Sequence, residues 1–281
     1  MDLSVVTVAW NCEKFIAKQI ESVKNACKDL EYEHIIIDNN SSDNTAGIIN
    51  DQDIKLVPNK SNRGFSYANN QGVKISTGKY ILFLNPDMEL TEKTNLSTMF
   101  KYMDENDNVG IISSKLVDKK GEINKNEGPR RFPKVWEQLL LMLKVPHLLP
   151  KVLNKYHYKD LDLEKIQEVD TVRGSFMLVR SGVIKRLGNA FDERFFLWFE
   201  DVDFCKEVKK LGFKIVYNPS FSCVDLIGES FGQIDLIKKQ RQFLDSMLIY
   251  FKKWQPSYKW IWLAIAKPIA MIITRVYAKL K

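Results

Sequence analysis

Three groups of acidic residues stand where chemistry on a phosphorylated substrate would need them. The first is Asp87, in the run NPDMEL that follows the apolar segment Tyr80–Leu84. Such a segment is typical of a strand buried on both faces of a parallel sheet, and Pro86 ends it because proline has no N–H for a ladder. A carboxylate at the carboxyl end of this strand can hold a divalent cation, which in turn can hold a diphosphate. The alternative is that Asp87 caps the turn.

The second group is Glu200, Asp201 and Asp203, which fall in the first turn of a predicted helix directly after the aromatic run FFLWF. Aromatic walls and neighbouring carboxylates both raise the pKa of a carboxyl group. A raised pKa makes a carboxylate useful as a general base near neutral pH. The alternative is that these residues only interact with the helix dipole.

The third group opens with Asp38, at the start of the loop DNNSSDNT that follows a predicted strand. Its carboxylate could accept hydrogen bonds from a pyrimidine N–H or a ribose hydroxyl, or it could cap the loop. Neither a GxGxxG nor a GxxxxGK[ST] loop follows any predicted strand, so the phosphates of a nucleotide must be neutralised in another way. The sequence therefore predicts Mg²⁺ or Mn²⁺ as the cofactor.

These residues are positioned by strands that alternate with helices, which predicts an α/β fold with a doubly wound, mostly parallel sheet. The first four predicted strands are Leu3–Ala9, His34–Ile37, Ile54–Val57 and Tyr80–Leu84. Further strands are predicted at Val109–Ser113, at Val169–Val179 with an interruption at Arg173–Ser175, and at Ile215–Asn218, ended by Pro219. Trp136–Leu143 is predicted to be a helix that either packs in the core or faces the acceptor or a membrane.

Composition narrows the class of protein. The 281 residues are 45% hydrophobic, and 42 Lys and Arg against 35 Asp and Glu give a net charge of +7. The basic residues form no recognisable nucleic-acid module, so a nucleic-acid partner is not expected. The four cysteines show no CxxC spacing and are predicted to be reduced, with neither zinc nor disulfides. Because no N-terminal targeting signal is recognisable, we expect a cytoplasmic protein.

The C-terminal segment from Lys238 is predicted to be helical, with breaks at Gln255-Pro256 and at Pro268. Its last part has one apolar face, formed by Trp262, Ile265, Ile269, Ile272, Ile273, Val276 and Leu280. The opposite face carries Lys259, Lys267, Arg275 and Lys281. This pattern predicts a helix that lies in the interface of an anionic membrane. The alternative is a terminal helix packed on the domain or on a second subunit of a homodimer.

Together the motifs resemble the family 2 glycosyltransferases, inverting enzymes of the GT-A fold, from Leu3 to about Gly232. The resemblance rests on LSVVTVAWN, HIIIDNNSSDNT, NRGFSYANNQG, LFLNPDMEL and FLWFEDVDFCKEVKKLGFKIVYNP, which occur in the family's order. NPD in place of DxD, and the RRFP of Arg130–Pro133, are similar to a rhamnosyltransferase-like subgroup. That resemblance implies transfer of L-rhamnose from dTDP-rhamnose to a lipid-linked or growing polysaccharide at the inner face of the plasma membrane, in bacterial O-antigen or capsule synthesis. A UDP- or GDP-sugar donor, or a non-catalytic nucleotide-sugar-binding module, are the alternatives.

The resemblance also implies roles for individual residues. Asp201 is similar to the general base, with Glu200 beside it, and Asp87 is similar to the metal ligand. Asp225 stands where the subgroup carries a His before Gly-x-Ser; it could reach the same sheet edge as Asp87 and be a second metal ligand. The alternative is that Asp225 is a solvated loop residue and that the metal has one protein ligand. The implied donor-binding residues are Thr7, Ala9, Asn11, Asp38, Asn40, Asn62, Arg63, Gly64, Asn69, Asn85 and Asp87. The implied acceptor-side residues are Arg173, Gly174, Trp198, Phe199 and Asp203. The alternatives are a core role for Trp198 and Phe199, and support of the base by Asp203.

The predicted domain organisation follows from the same resemblance. Residues 1–235 form the glycosyltransferase domain, with a nucleotide-sugar half (1–115), an insertion near the acceptor (116–168) and a catalytic half (169–235). Residues 236–281 form a helical, membrane-associating tail.

Overall fold

A computed structural model describes residues 1–50, 54–123, 128–226 and 235–279. The strands in this part of the chain are β1 (Leu3–Ala9), β2 (Tyr32–Asp38), β3 (Lys55–Pro58), β4 (Tyr80–Leu84), β5 (Met88–Leu90), β6 (Val109–Val117), β7 (Gln167–Glu168), β8 (Phe176–Arg180) and β9 (Lys214–Asp225). They form one sheet with the order β3-β2-β1-β4-β8-β6-β9-β5, and β7 also pairs with β9.

Helices cover the sheet and extend beyond it. They are α1 (Ile16–Ala26), α2 (Thr45–Asn50), α3 (Phe65–Ile75), α4 (Leu96–Glu105), α5 (Val135–Met142), α6 (Ser181–Leu187), α7 (Glu200–Lys210), α8 (Leu236–Trp254) and α9 (Ser257–Lys279). Two short 3₁₀ turns, Val145–His147 and Pro150–Leu153, follow α5.

The central strand β4 is buried along its whole length because each of its faces packs on a separate core. Leu82 belongs to a hydrophobic cluster that includes residues of α1 and α4. Phe83 belongs to a cluster on the other face that includes residues of α6 and α7. Alternating side chains of one strand therefore bind two helical layers, which explains the continuous apolar run seen in the sequence.

The first half of the sheet has the predicted parallel arrangement. Strand β1 pairs in parallel with β2 and with β4, and β2 pairs in parallel with β3. Because parallel strands end at the same edge, the residues after β1, β2 and β4 are brought together there. The bounds of β1 and β4 are those predicted.

The second half is mixed rather than parallel. Strand β8 is antiparallel to both β4 and β6, whereas β6 and β9 are parallel. The predicted strand Val169–Val179 is wrong in its first part, because residues 169–175 form a loop between β7 and β8. Strand β9 also continues past Pro219 instead of ending there. Its pairing with β6 jumps from Asn218 to Ser222 across a bulge, so the missing N–H of proline falls outside the ladder.

The C-terminal segment forms two helices rather than three. The predicted break at Gln255-Pro256 separates α8 from α9, but α9 continues through Pro268. One side of α9 contributes Leu263, Ala270 and other residues to a cluster with α8, α5 and Phe199. The other side is exposed and apolar. Helix α9 therefore packs on the domain with one face, as one of the two predictions had it, and presents an apolar surface with the other. The proposed domain boundary at residue 236 stays a prediction.

Candidate active site

A cavity of about 400 Å³ opens at the carboxyl ends of β1, β2 and β4. We call it the donor cavity, because the residues predicted from the sequence to bind the nucleotide lie at this edge. Its walls combine apolar rings with amide side chains and one lysine. It is lined by Val8, Trp10, Asn39, Asn62, Gly64, Phe65, Asn85, Pro86, Phe196, Leu197, Lys238 and Gln242.

Gly64 fixes the approach of two chain segments at this cavity. It has φ +92°, and a Cβ built on it would lie 2.6 Å from the backbone oxygen of Phe196. The N–H of the next residue, Phe65, donates to that same oxygen at 2.7 Å. Only glycine tolerates this combination of conformation and close approach. The loop before α7 is therefore held directly against the predicted nucleotide-binding segment.

Asp38 ends β2 next to the donor cavity and is only 5% exposed. Its carboxylate accepts a hydrogen bond from Ser41 Oγ at 2.5 Å and from the Ser41 N–H at 3.3 Å. The structure thus shows the loop-capping contact of Asp38. Asn11 supports the same loop, because its side-chain oxygen accepts from the Ser42 N–H at 2.7 Å.

Of the other predicted donor residues, two line the donor cavity and two are exposed on the surface. Asn62 lines the donor cavity, where it accepts from Asn39 Nδ2 at 3.0 Å, and Asn85 lines it as well. Exposed Arg63 lies 3.5 Å from the ring centre of Tyr67, and exposed Asn40 adopts φ +65°.

Of the eleven predicted donor residues, Asn62, Gly64 and Asn85 line the donor cavity, and three of the other eight are at most 1% exposed in the interior. Thr7 is fully buried, where its hydroxyl accepts from Gln19 and contacts His34. Ala9 is buried in the sheet, and Asn69 is buried within α3. All three side chains lie in the interior around the site, and their donor-binding role stays a prediction.

The backbones of Asp87 and Asp225 lie close together where β5 begins and β9 ends. Met88 is paired with Asp225, and the Leu226 N–H donates to the backbone oxygen of Asp87 at 3.1 Å. Both side chains are buried, at 4% and 9% exposure. After burial itself, the charges of Asp225, Glu89 and Asp87 raise the pKa of the neighbouring Cys223 thiol.

Two buried carboxylates in a negative potential fit a hard cation such as Mg²⁺ or Mn²⁺. Among the described residues no group of three or more His, Cys, Asp and Glu could hold a metal by itself. A cation here would need further oxygen ligands, and a nucleotide diphosphate supplies such ligands. The Gly-x-Ser at residues 228–230 lies outside the described residues.

A second cavity, of about 420 Å³, lies on the other side of the Phe196–Phe199 loop. We call it the acceptor cavity because it contains Asp201. Its polar lining includes Arg130, Gln138, Lys144, Tyr156, His157, Thr171, Arg173, Glu200 and Asp201. Its apolar lining includes Leu141, Pro146, Leu153, Val172, Trp198, Phe199, Val202 and Phe243.

Asp201 is half-buried and oriented by the backbone. One carboxylate oxygen accepts from the Gly174 N–H at 3.2 Å, and the other accepts from the Val202 N–H at 2.8 Å. A Cβ at residue 174 would lie 3.5 Å from the Cβ of Asp201, so the loop and the helix are in close contact. Gly174 therefore positions Asp201, as an acceptor-side residue would.

Glu200 is the more deeply buried of the two carboxyl groups, at 6% exposure. Burial raises its pKa well above the ordinary value, and the charge of Asp201 raises it further. The raised carboxyl pKa expected from the sequence is thus found at Glu200.

The aromatic residues before α7 are held in an uncommon conformation. Trp198 and Phe199 have φ +68° and +67°, in the left-handed region. Their rings pack on Phe243 with centroid distances of 6.0 and 5.5 Å. Both residues line the acceptor cavity, and so does Arg173. Backbone strain of this kind persists where surrounding packing fixes it, and it is frequent at functional sites.

Asp203 does not lie on the acceptor side, contrary to the prediction. Its two oxygens accept from Lys253 Nζ and from Trp254 Nε1, both at 2.7 Å. It is 2% exposed and joins α7 to the end of α8. The physical reason is helical geometry, because residues two apart point to opposite sides of a helix.

Several cavity residues gave no signal in the sequence. Gln138 and Lys144 reach the acceptor cavity from α5 and the turn after it. Lys238 and Gln242 reach the donor cavity from α8. Since these residues belong to segments remote from the recognised motifs, only the tertiary fold reveals them.

Comparison with protein families identifies the family of this chain. The model of the family described as Glycosyl transferase family 2 matches residues 4–188 of this chain. The low-salt glycan biosynthesis hexosyltransferase Agl10 of Haloferax volcanii is 25% identical over 213 residues, which are 74% of this chain and 62% of that protein. Rhamnosyltransferase WbbL of Escherichia coli is 27% identical over 227 residues, which are 78% of this chain and 81% of that protein.

Solved structures show the same fold at low sequence identity. The mannosyltransferase PcManGT of Pyrobaculum calidifontis, in complex with GDP-Man and Mn²⁺, matches with a TM-score of 0.61 and 16% identity, over 98% of this chain and 73% of that one. S. aureus TarS in complex with UDP-GlcNAc matches with a TM-score of 0.57 and 17% identity, over 89% of this chain and 65% of that one. With a family match over more than half of its length, the chain belongs to glycosyl transferase family 2.

Proposed function

We propose that this glycosyltransferase transfers L-rhamnose from dTDP-L-rhamnose, with inversion, to a hydroxyl of a lipid-linked or growing polysaccharide. The observation that carries the proposal is the position of Asp201. Its carboxylate is held by two backbone N–H groups at the wall of the acceptor cavity, on the far side of a short loop from the donor cavity. Inversion requires a base on the face opposite the leaving group, and this arrangement provides one.

Each residue of the site has a definite task in this reaction. Asp201 accepts the proton of the acceptor hydroxyl as that oxygen attacks the sugar. Asn62 and Asn85 line the donor cavity and Asp38 lies beside it, and we expect these three residues to face the nucleotide. Asp87 and Asp225 would hold Mg²⁺ or Mn²⁺, which when bound neutralises the charge of the departing nucleoside diphosphate.

The donor sugar is proposed from the similarity to a rhamnosyltransferase and from the NPD sequence at Asp87. The related structures in complex with UDP-GlcNAc and GDP-Man make a UDP- or GDP-sugar the second candidate. A module that only binds a nucleotide sugar would have no need of a carboxylate oriented in a separate acceptor cavity.

We also propose that α9 attaches the enzyme peripherally to the inner face of the plasma membrane. The helix is long and apolar enough to cross a membrane, although 22% of its most apolar window is buried against the protein. Trp262, Ile265, Ile269 and Ile272 are about half exposed, with exposed Arg275 close by. A helix with one face packed on its own domain, an exposed apolar face and flanking basic residues suits an interfacial position.

The function is tested in two steps, beginning with the donor. Thermal unfolding is measured with dTDP-rhamnose, UDP-glucose and GDP-mannose, each with Mn²⁺. A donor present at 100 times its Kd stabilises the protein by about 2.7 kcal/mol, and we expect this for dTDP-rhamnose.

The base is tested next with Asp201→Asn. We expect transfer from the identified donor to an undecaprenyl-diphosphate-linked saccharide to fall by about 10²–10⁴-fold, with donor binding retained. The control Asp107→Asn removes an exposed carboxylate elsewhere and should leave transfer unchanged. Transfer at the wild-type rate by Asp201→Asn would exclude the assignment of the base.

A further inference from the structure

Helix α8 contributes two polar side chains to the donor cavity, and both lie beyond residues 4–188, which the family model matches. Lys238 belongs to the first turn of the helix, and Gln242 follows one turn later. Residues four apart lie on the same side of a helix, so the two side chains face the cavity together. The other polar side chains of the lining come from loops at the edge of the sheet, so α8 forms a separate wall.

A third residue on the same side of α8, Ser246, fixes the direction in which this side points. Its hydroxyl donates to the backbone oxygen of Leu197 at 2.7 Å. Leu197 lines the donor cavity and belongs to the loop that separates this cavity from the acceptor cavity. Each step of four residues moves about 6 Å along the helix axis. By this spacing, Gln242 lies nearer to the loop than Lys238 does.

The amide of Gln242 is incompletely bonded. The side chain is partly buried, and its Oε1 is buried without a hydrogen-bond partner among the described residues. Buried polar atoms normally have a partner. Because Gln242 lines the donor cavity, a hydroxyl group of a molecule bound there can donate to Oε1. The amide nitrogen can donate in turn, so Gln242 suits the hydroxyl groups of a sugar.

Lys238 gives the donor cavity a positive charge. Among the described residues that line the cavity, it is the only one with a charged side chain. Asn85 and Pro86 share this lining and directly precede Asp87, so the cavity extends to the neighbour of the predicted metal ligand. A nucleoside diphosphate bound here would be negatively charged. The ammonium group of a lysine, on its flexible stem, is well suited to bind such a group.

We propose that α8 completes the donor site, with Lys238 bound to the diphosphate of the nucleotide sugar and Gln242 bound to hydroxyl groups of its sugar. Gln242 is assigned to the sugar because it lies nearer to the loop before Asp201, where the sugar must meet the acceptor hydroxyl. The proposal rests on the proposed function, because it takes a nucleotide sugar as the ligand of the donor cavity. It extends donor recognition into residues 236–281, which were predicted to form a membrane-associating tail.

The test is a calorimetric titration of the full chain in the presence of Mn²⁺, which compares each nucleotide sugar with its nucleoside diphosphate. The probes are dTDP-rhamnose and dTDP, UDP-glucose and UDP, and GDP-mannose and GDP. In the pair that binds the wild type, Lys238→Gln should weaken both members about tenfold, because both contain the diphosphate. Gln242→Leu should weaken the nucleotide sugar about tenfold and leave the nucleoside diphosphate unchanged.

Neighbouring residues of α8 provide matched controls. Lys239 and Gln240 are not among the described residues that line the donor cavity, so Lys239→Gln and Gln240→Leu should bind all probes as the wild type does. Lys238→Arg keeps the charge and should restore most of the affinity. Because Lys238 is exposed, the loss in Lys238→Gln should shrink between about 0.1 M and 1 M NaCl, where the Debye length falls from about 10 to about 3 Å. Gln242→Ala replaces Gln242→Leu if that variant fails to fold.

Two outcomes would overturn the individual assignments. Equal losses in Lys238→Gln and Lys239→Gln would show a general effect of charge instead of a contact by Lys238. If Gln242→Leu weakened the nucleoside diphosphate as much as the nucleotide sugar, Gln242 would not bind the sugar.

The titrations also separate this proposal from the proposed function. If a nucleotide sugar binds the wild type and both variants equally well, α8 does not contact the donor and the proposed function stands. If the variants behave as expected with UDP-glucose or GDP-mannose while dTDP-rhamnose does not bind, the contacts of α8 stand and the rhamnose donor is wrong. If no nucleotide sugar binds the wild type, both proposals are wrong.

Discussion

The burial of the ion pair between Lys253 and Asp203 predicts how much the free energy of unfolding changes when either partner is replaced. Lys253 Nζ lies 2.7 Å from Asp203, 3.0 Å from Glu207 and 3.3 Å from Asp192. The Asp203 side chain is 2% exposed and that of Lys253 is 21% exposed. Burial raises the pKa of Asp203 in spite of its hydrogen bonds to Lys253 and Trp254. These hydrogen bonds therefore do not fully offset the cost of burying the ionised carboxylate of Asp203.

Two single substitutions should consequently have unequal effects. Lys253→Met leaves a buried carboxylate without its cation, and losing one partner of a buried pair lowers the free energy of unfolding by about 3–5 kcal/mol. Asp203→Asn removes the charge and can keep the bond from Trp254, while Lys253 keeps Glu207 and Asp192. We expect this variant to lose less than about 1 kcal/mol.

The double variant shows whether the loss of stability in Lys253→Met comes from the unpaired carboxylate of Asp203. With no buried charge left, Lys253→Met with Asp203→Asn should be more stable than Lys253→Met alone, with a coupling of about 2–3 kcal/mol. Urea denaturation at pH 7, followed by tryptophan fluorescence, measures all four proteins. Losses that add to within about 0.5 kcal/mol would refute the reasoning. An Asp203→Asn protein with normal stability and a raised KM for acceptor would restore the acceptor role predicted from the sequence.

Other predictions address the donor cavity, acid stability and membrane binding. Gly64→Ala forces a side chain into a positive-φ position against a backbone oxygen, so we expect urea denaturation to show a loss of about 1–3 kcal/mol, whereas Gly182→Ala, with open space around it, should lose nothing. Burial lowers the pKa of His34 to about 3, so the unfolded chain binds the extra proton. Stability should then fall below about pH 6.5 by up to about 1.4 kcal/mol per pH unit, and His34→Gln should reduce that slope. Ile269→Glu should reduce sedimentation with anionic liposomes severalfold, whereas Ile75→Glu, at an exposed site on α3, should not; equal binding by both would contradict the interfacial position of α9.

Sequence patterns predicted the strands that are buried on both faces. The segments Leu3–Ala9 and Tyr80–Leu84 have continuous apolar runs because each contacts two cores, and their bounds are as predicted. Proline residues predicted the ends of strands and helices less well. Pro219 falls in a bulge where pairing is already interrupted, and Pro268 lies within α9, whose neighbouring turns pack on α8 and α5. In both cases tertiary contacts outweigh the local preference of proline.

The candidate site was predictable where residues share a motif and not where they share only a cavity. Asp201 was predicted from its motif, and Asp87 and Asp225, which were expected at one sheet edge, have adjacent backbones; their roles stay predictions. The direction of Asp203 was missed because three acidic residues in one turn cannot all face the same side of a helix. Gln138 gave no signal because the sequence of α5 is that of an apolar helix, and only tertiary packing brings it to the same cavity as Glu200, 62 residues later in the chain.

The C-terminal helices hold the loop that separates the two cavities. Trp198 and Phe199 occupy left-handed conformations that cost about 1–3 kcal/mol each, so something outside the loop must fix them. Phe199 is packed in one cluster with Tyr250 of α8 and Leu263 of α9, and the Leu197 carbonyl accepts from Ser246 Oγ at 2.7 Å. Asp201 follows this loop directly, so its position depends on α8 and α9. Helix α9 therefore offers an exposed apolar surface while α8 and α9 together support the loop before Asp201, so the proposed membrane contact and the proposed base would belong to one continuous structure.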